Sequence, residues 1–385
     1  MSSLTYVTAC STSTSLPTDV PTLQALLTGE RARYEELRAK SVEMVLEFQP
    51  YISGPAIPVP PGSSVRQMLW DQACTSDRLT TRTWSKVWMD NIIENVKRFD
   101  ADNNMVDKEY GKHAYHPAII VATGPSLKKN IDDLGSCPEE IPVLACLHSY
   151  AMMIDHNIKA SYVTLDAQKI VIDEMAQGGT KSADYYWDST KDHTLYAGLV
   201  SPPELIEKWK GKVLWYNAMI PDHWYMSELP KQTKNRWIYS VGGTTYGAVF
   251  YHAAYMWGCN PIACVGADFC FDYTRKFHPF DSPYDAKFAG VVPCTDVFGN
   301  RVWAWPSYQN FKAWFEFQAM GGQGDHNLQI INCTEGGTLG AYPQGNIIAI
   351  KQMRLRNFID SYTRWGKLKK TVDDATARGE YTTAC

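Results

Sequence analysis

A run of four apolar residues, Ala118 to Val121, stops at Thr123-Gly124-Pro125-Ser126. The same pattern of a short apolar run ended by a polar or glycine-containing turn recurs down the chain. Runs so short and uniformly apolar suit strands buried on both faces, as in a parallel sheet. Ile141 to Leu147, Ala160 to Leu165, Leu195 to Val200, Val213 to Tyr216 and Ile262 to Val265 repeat it. Segments with helical spacing lie between them: Leu127 to Leu134, His148 to Asn157 and Gly247 to Trp257. Strands alternating with helices predict an α/β fold with a doubly wound, mostly parallel, Rossmann-like sheet.

With 385 residues, the chain can hold one large α/β domain with extensions. Thr22 to Phe48 has the periodicity of amphipathic helices, and Pro55, Pro58, Pro60 and Pro61 mark a linker after it. The expected division is an N-terminal helical cap and linker over 1–80, a catalytic domain over 81–350 and a basic helical extension over 351–385. Hydrophobic residues at 45% exclude a disordered chain, and a net charge of -4 argues against binding nucleic acid by overall charge. The start carries no secretory signal pattern, and no apolar run reaches the length of about 20 residues that a membrane helix needs. A cytoplasmic protein is the expectation. The ten cysteines lack zinc-ligand spacing and read as reduced core thiols, so no metal ligand set is expected.

In an open parallel sheet, ligands bind beyond the carboxyl ends of the strands. Four such ends stand out. Thr123, Gly124, Pro125 and Ser126 form a small-residue turn entering a helix, where free amides and the positive helix end suit a phosphate. Gly242, Gly243, Thr244 and Thr245 form a second such turn, although either tetrapeptide also fits an ordinary helix start. Asp166 and Asp268 each follow an apolar run, as carboxylates that bind ribose, hold a cation or orient an acceptor, or that cap the next helix. His278, in an aromatic loop with Phe277 and Phe280, is a candidate acid or base, and His252 is read as core.

In order, these motifs resemble the motility accessory factor (Maf-type) glycosyltransferases and the related 6-hydroxymethylpterin diphosphokinase-like proteins, relatives of the bacterial sialyltransferases. The likeness rests on Ile119 to Leu127, Ile154 to Asp166, Gly242 to Thr245, Gly258 to Ile262 and Gly266 to Asp268. It continues through Asp296 to Arg301, Tyr308 to Phe317 and Ile331 to Gly337. The resemblance implies a sialyltransferase-like fold that moves a sugar from a nucleotide sugar to an acceptor hydroxyl. It assigns Thr123 to Ser126 and Gly242 to Thr245 to the nucleotide and its phosphate. The sialyltransferases have a histidine just before the helix aligned with Tyr308 to Phe317. This chain has Trp305, Ser307 and Tyr308 there, so Asp268, His278, Glu335 and Tyr308 remain candidates for the base.

The donor would be a CMP-, CDP- or UDP-linked sugar, with Mg²⁺ as a candidate companion. The acceptor would be a protein, a glycan or a modified DNA base. DNA would be reached through the basic stretch Lys351, Arg354, Arg356, Arg364, Lys367, Lys369 and Lys370, interleaved with Phe358, Tyr362 and Trp365, which also reads as a solvated helix face. Two other readings stand beside it. One is an ATP-dependent diphosphokinase acting on a pterin-like molecule, with Mg²⁺ on Asp166 and Asp268. The other is a nucleotide-binding module without catalysis.

Overall fold

The computed structural model describes residues 83–100, 103–219, 238–286, 290–326, 328–342, 345–346 and 350–361. The expected cap and linker over 1–80 lie outside the described residues, as do Tyr362, Arg364, Trp365, Lys367, Lys369 and Lys370.

The strands in chain order are β1 (Ala118–Val121), β2 (Val143–Cys146), β3 (Ser161–Thr164), β4 (Thr194–Gly198), β5 (Lys212–Ala218), β6 (Ile238–Tyr239) and β7 (Ile262–Val265). They continue with β8 (Val292–Thr295), β9 (Arg301–Ala304), β10 (Ile330–Asn332), β11 (Ala341–Tyr342), β12 (Gly345–Asn346) and β13 (Ile350–Gln352). Nine of these form one sheet in the order β13-β10-β7-β1-β2-β3-β4-β5-β6, and every neighbouring pair is parallel. The chain builds from β1 outward to β6, then returns to the other side of β1 with β7. The reversal falls between β1 and β7. β8 and β9 form a separate antiparallel hairpin.

Successive residues of β1 point to opposite faces, and both faces are covered. Ile119 and Val121 join one apolar cluster with Leu127, Ile131 and Leu134 of the helix Leu127–Gly135 and Tyr150 and Met153 of the helix Tyr150–Asp155. Ala118 and Ile120 join the other, with Val249, Phe250 and Ala253 of the helical stretch over 245–256 and Phe315 of the helix Pro306–His326. This is the doubly wound parallel α/β fold that the apolar runs predict. The expected helix over His148 to Asn157 begins as a 3-10 turn, Leu147–Ser149, before Tyr150–Asp155.

At the start of the expected extension, Lys351 lies exposed on β13, at the edge of the sheet, and the following helix over 355–361 buries Leu355, Phe358 and Ile359 in the core. Phe358 is therefore unavailable to stack on a nucleobase. Arg356 pairs with Asp360 and donates to Ser136 Oγ. The seven described cysteines are free, and five of them are buried. No helix among the described residues is long and apolar enough to cross a membrane.

The helix over 83–95 is fastened by polar contacts as well as packing. Asn91 Nδ2 donates to the carbonyls of Ala167 and Val200, and Asn95 Nδ2 donates to those of Leu199 and Ser201 at 2.9 and 2.8 Å. Both carbonyls lie in the loop after β4. Asn95→Ala would leave them without their donor in a buried setting, which costs about 1–3 kcal/mol. Urea unfolding should register that loss as a lower midpoint with an unchanged slope.

Candidate functional site at the sheet reversal

The turn after β1 is shaped around a carboxylate from β7. Gly124 donates its amide to Gly266 O at 2.9 Å, and a Cβ at position 124 would stand 2.1 Å from Asp268 Oδ2. Only glycine fits there. Asp268 Oδ2 accepts the Ser126 hydroxyl at 2.7 Å and the Ser126 amide at 3.2 Å. Ser126 thus makes no side-chain cap of its own. The carboxylate of Asp268 takes the acceptor position at the helix N-terminus, where the dipole favours negative charge. The amides of Gly124, Leu127 and Lys129 are also engaged, by Gly266, Gly124 and Ser126 carbonyls. The cradle expected to hold a phosphate holds the protein's own anion.

Asp268 is 5% exposed. Burial pushes its carboxyl up to about 6, while the two Ser126 hydrogen bonds and Lys129 pull the other way and Asp272 adds to the rise. Its second oxygen, Oδ1, has no hydrogen-bond partner among the described residues.

His278 meets the same turn from the other side. Its Nδ1 lies 2.8 Å from the carbonyl oxygen of Thr123. A carbonyl only accepts, so Nδ1 carries the proton and Nε2 keeps a lone pair. Burial pushes His278 down to about 4, and His148 beside it adds to the effect, so the ring is neutral at pH 7. Thr123 and Gly124 are adjacent, with Cα atoms about 3.8 Å apart, so Asp268 and His278 bracket a single peptide unit. His148 follows β2, with its ring centroid 4.6 Å from that of His278 and its Nε2 3.1 Å from Gln177 Oε1. Burial also holds His148 down near 4, partly offset by Gln177. His148 was missed in the sequence, although it stands just past an apolar run, the signal that picks out Asp166.

Asp166 lies at the end of β3, with Oδ1 accepting the Gln168 amide at 2.8 Å. Burial raises its pKa, and the neighbouring Glu174 raises it further. Glu174 accepts the Tyr284 hydroxyl at 2.9 Å. Asp166 and Asp268 are not brought together as a pair: Asp166 faces Glu174, and Asp268 faces Ser126, Lys129 and Asp272. Glu335 lies beside the helix that follows the first turn, and its neighbour Gly336 stands next to Ser126 and Lys129. Glu335 Oε1 accepts Asn130 Nδ2 and the Leu355 amide, which ties the helix Leu127–Gly135 to the start of the helix over 355–361. Tyr308 is raised by burial and by the charges of Tyr284, Glu174 and Asp166.

In the second glycine turn the Thr244 amide donates to Val241 O at 3.2 Å. Gly242 and Gly243 have φ of 57° and 76°, in the left-handed region that favours glycine. The Thr244 hydroxyl caps the following helix by accepting the Tyr246 amide at 3.2 Å. The amides of Gly242, Gly243 and Thr245 have no partner among the described residues. A row of rings joins the two turns: Phe311 packs beside Gly243, Phe311 meets Tyr308 at 5.4 Å, Tyr308 meets Phe277 at 4.7 Å, and Phe277 meets His278 at 4.9 Å.

The elevated carboxyl of Asp268 links protonation to stability. Its folded pKa exceeds the unfolded value of about 3.9, so its contribution is fully present below pH 4 and is lost as pH rises through about 6. His148 and His278 act oppositely, contributing above about 6.5 and losing that contribution as pH falls through about 4. Denaturant midpoints of the wild type and Asp268→Asn, compared at pH 4 and pH 7, should show the wild type losing ground to the variant as pH rises. Parallel midpoints at the two pH values would contradict the shift.

Residues 88–274 match the family model described as 6-hydroxymethylpterin diphosphokinase MptE-like. No curated protein matches the chain. Among solved structures, the chain is similar to the Maf glycosyltransferase from Magnetospirillum magneticum AMB-1, with 13% identity and a TM-score of 0.48 over 66% of this chain and 37% of that one. It therefore spans little more than a third of that protein's length. The segment matched by the family model contains β1 to β7, the Thr123 turn, His148, Asp166, the Gly242 turn and Asp268. Over residues 88–274, just under half of its length, the chain is similar to the MptE-like family.

Proposed function

We propose that the chain is a glycosyltransferase that moves a sugar from a nucleotide-sugar donor to an acceptor hydroxyl. The observation that carries this reading is the bracketed peptide Thr123–Gly124, which places a carboxyl poised near neutrality and a neutral imidazole together at the sheet reversal. In the step itself, Asp268 takes the acceptor's hydroxyl proton, and the freed oxygen forms a bond to the anomeric carbon. The bond from that carbon to the phosphate oxygen breaks, and its electron pair leaves with the phosphate. A base with a pKa near the working pH combines availability with driving force.

The growing negative charge needs donors that are already in place. Since Asp268 occupies the first turn, the free amides of Gly242, Gly243 and Thr245 are assigned to the donor phosphate. His278 Nε2 accepts a hydrogen bond from a substrate hydroxyl, while the rings of Phe277, Tyr284 and Tyr308 offer apolar faces for a sugar. The sequence-level assignment of Ser126 to phosphate gives way to one in which Ser126 holds Asp268. The name of the matched family favours a second reading, transfer of diphosphate from ATP to a pterin alcohol, with Mg²⁺ on the neighbouring carboxylates Asp166 and Glu174.

Titration calorimetry with CMP-, CDP- and UDP-linked sugars, and with ATP plus 6-hydroxymethylpterin, each with and without Mg²⁺, separates the two readings. The expected result is binding of a nucleotide sugar. Asp268→Asn should lower transfer by about 100-fold or more, with donor affinity held within about twofold because the phosphate lies on the other turn. Binding of ATP and pterin alone would favour the diphosphokinase, and binding without turnover of any acceptor would mark a module without catalysis. Full activity of Asp268→Asn would remove Asp268 as the base.

A further inference from the structure

Behind the site, the helix Pro306–His326 carries a polar stripe that is half-buried at Gln309 and buried at Lys312 and Glu316. Gln309, Lys312 and Glu316 fall at spacings of three and four residues and so share one helical face. Lys312 and Glu316 form an ion pair at 2.8 Å, with side chains 5% and 1% exposed. Such a pair is tolerated in the interior only when its remaining hydrogen-bonding capacity is met. Glu316 Oε1 also accepts the Gly340 amide at 2.7 Å, its Oε2 accepts the Tyr342 hydroxyl, and Lys312 Nζ sits 3.9 Å from the centre of the Tyr342 ring.

These partners lie on a segment that reaches Asp268. Thr338 donates its amide to the Asp268 carbonyl at 2.8 Å and its hydroxyl to the same oxygen at 3.1 Å. Gln309 Nε2 donates to the next carbonyl, that of Phe269, at 2.9 Å. Phe269 has a φ of 52°, which for a residue with a Cβ is a strained conformation that surrounding contacts must impose. One helix face therefore fixes the backbone on which the Asp268 carboxylate is mounted, directly through Gln309 and by way of residues 338–342 through Glu316.

We propose that Gln309, Lys312 and Glu316 are positioning residues that aim the Asp268 carboxylate at the turn after β1. This rests on the reading of Asp268 as the base, and its test does not depend on turnover. The charged and titratable groups facing Asp268 are Lys129 from the helix after β1, with Cys270 and Asp272 from its own loop. Gln309, Lys312 and Glu316 make their contacts with Phe269, Thr338, Gly340, Tyr342 and one another, and none with the Asp268 carboxylate. A change in its titration in their variants therefore reports movement of the carboxylate.

The full chain labelled with carboxyl ¹³C-aspartate gives the measurement, with the Asp268 signal assigned by its loss in Asp268→Asn. In the wild type it should titrate near pH 6. In Glu316→Gln and in Gln309→Ala the midpoint should fall by about one pH unit toward the ordinary carboxylate range as water reaches the loosened turn. Asn95→Ala, which weakens a different part of the molecule, should leave it in place. An unchanged midpoint in both stripe variants, whatever their melting temperatures, overturns the proposal. Should Glu316→Gln not fold, Gln309→Ala decides alone. Full transfer activity of Asp268→Asn would remove the base assignment but leave the titration result standing, so the two failures are distinguishable.

Discussion

The contact between the Asp268 carboxylate and Ser126 governs the architecture around it. Three glycines permit the close packing around this contact, because a Cβ would collide in each case: at Gly124 with the carboxylate itself, at Gly337 with the Asp268 backbone at 2.5 Å, and at Gly266 with the Ala122 carbonyl at 2.4 Å. The turns that follow β1, β7 and β10 sit close together because these residues lack side chains. An anion held by a helix N-terminus and a serine hydroxyl is a stable arrangement, and burial keeps it close to the point of accepting a proton.

Charge is divided in an orderly way along the rim. The imidazoles of His148 and His278 are held neutral by burial, whereas Asp268 is drawn toward neutrality from the acidic side. Titratable groups whose environments push them in opposite directions are a physical signature of acid and base roles. In the proposed reaction, a donor phosphate approaching Ser126 would meet the charge of Asp268, which directs it to the amides of Gly242, Gly243 and Thr245, which have no partner among the described residues.

Much of the frame was legible in the sequence because uniformly apolar four-residue runs have few places to go except a covered parallel sheet. β1, β2, β3 and β7 fall within or beside the predicted runs. The rule that ligands gather at carboxyl ends points to Thr123, Asp166 and Asp268 as residues to examine, but it could not say where those side chains turn. Ser126 and Asp268 are both polar residues after a strand, and only their pairing across 142 positions shows that one consumes the other. Glu335 looked available in a loop, yet its acceptor oxygen serves two structural donors. Short pieces such as β6 and β13 carry too little periodicity to be seen, and they form because neighbouring strands offer an edge.

Strand order also bears on how the molecule is made. β1 to β5 pair in the order in which they leave the ribosome, whereas the outer edge of β7 is met by β10, whose residues emerge more than sixty positions later. During that interval a flat apolar edge lies open, a template for unwanted pairing with other nascent chains. The sequence that closes this edge also brings Thr338 to Asp268, so shielding from aggregation and completion of the Asp268 turn fall in the same late stage of synthesis.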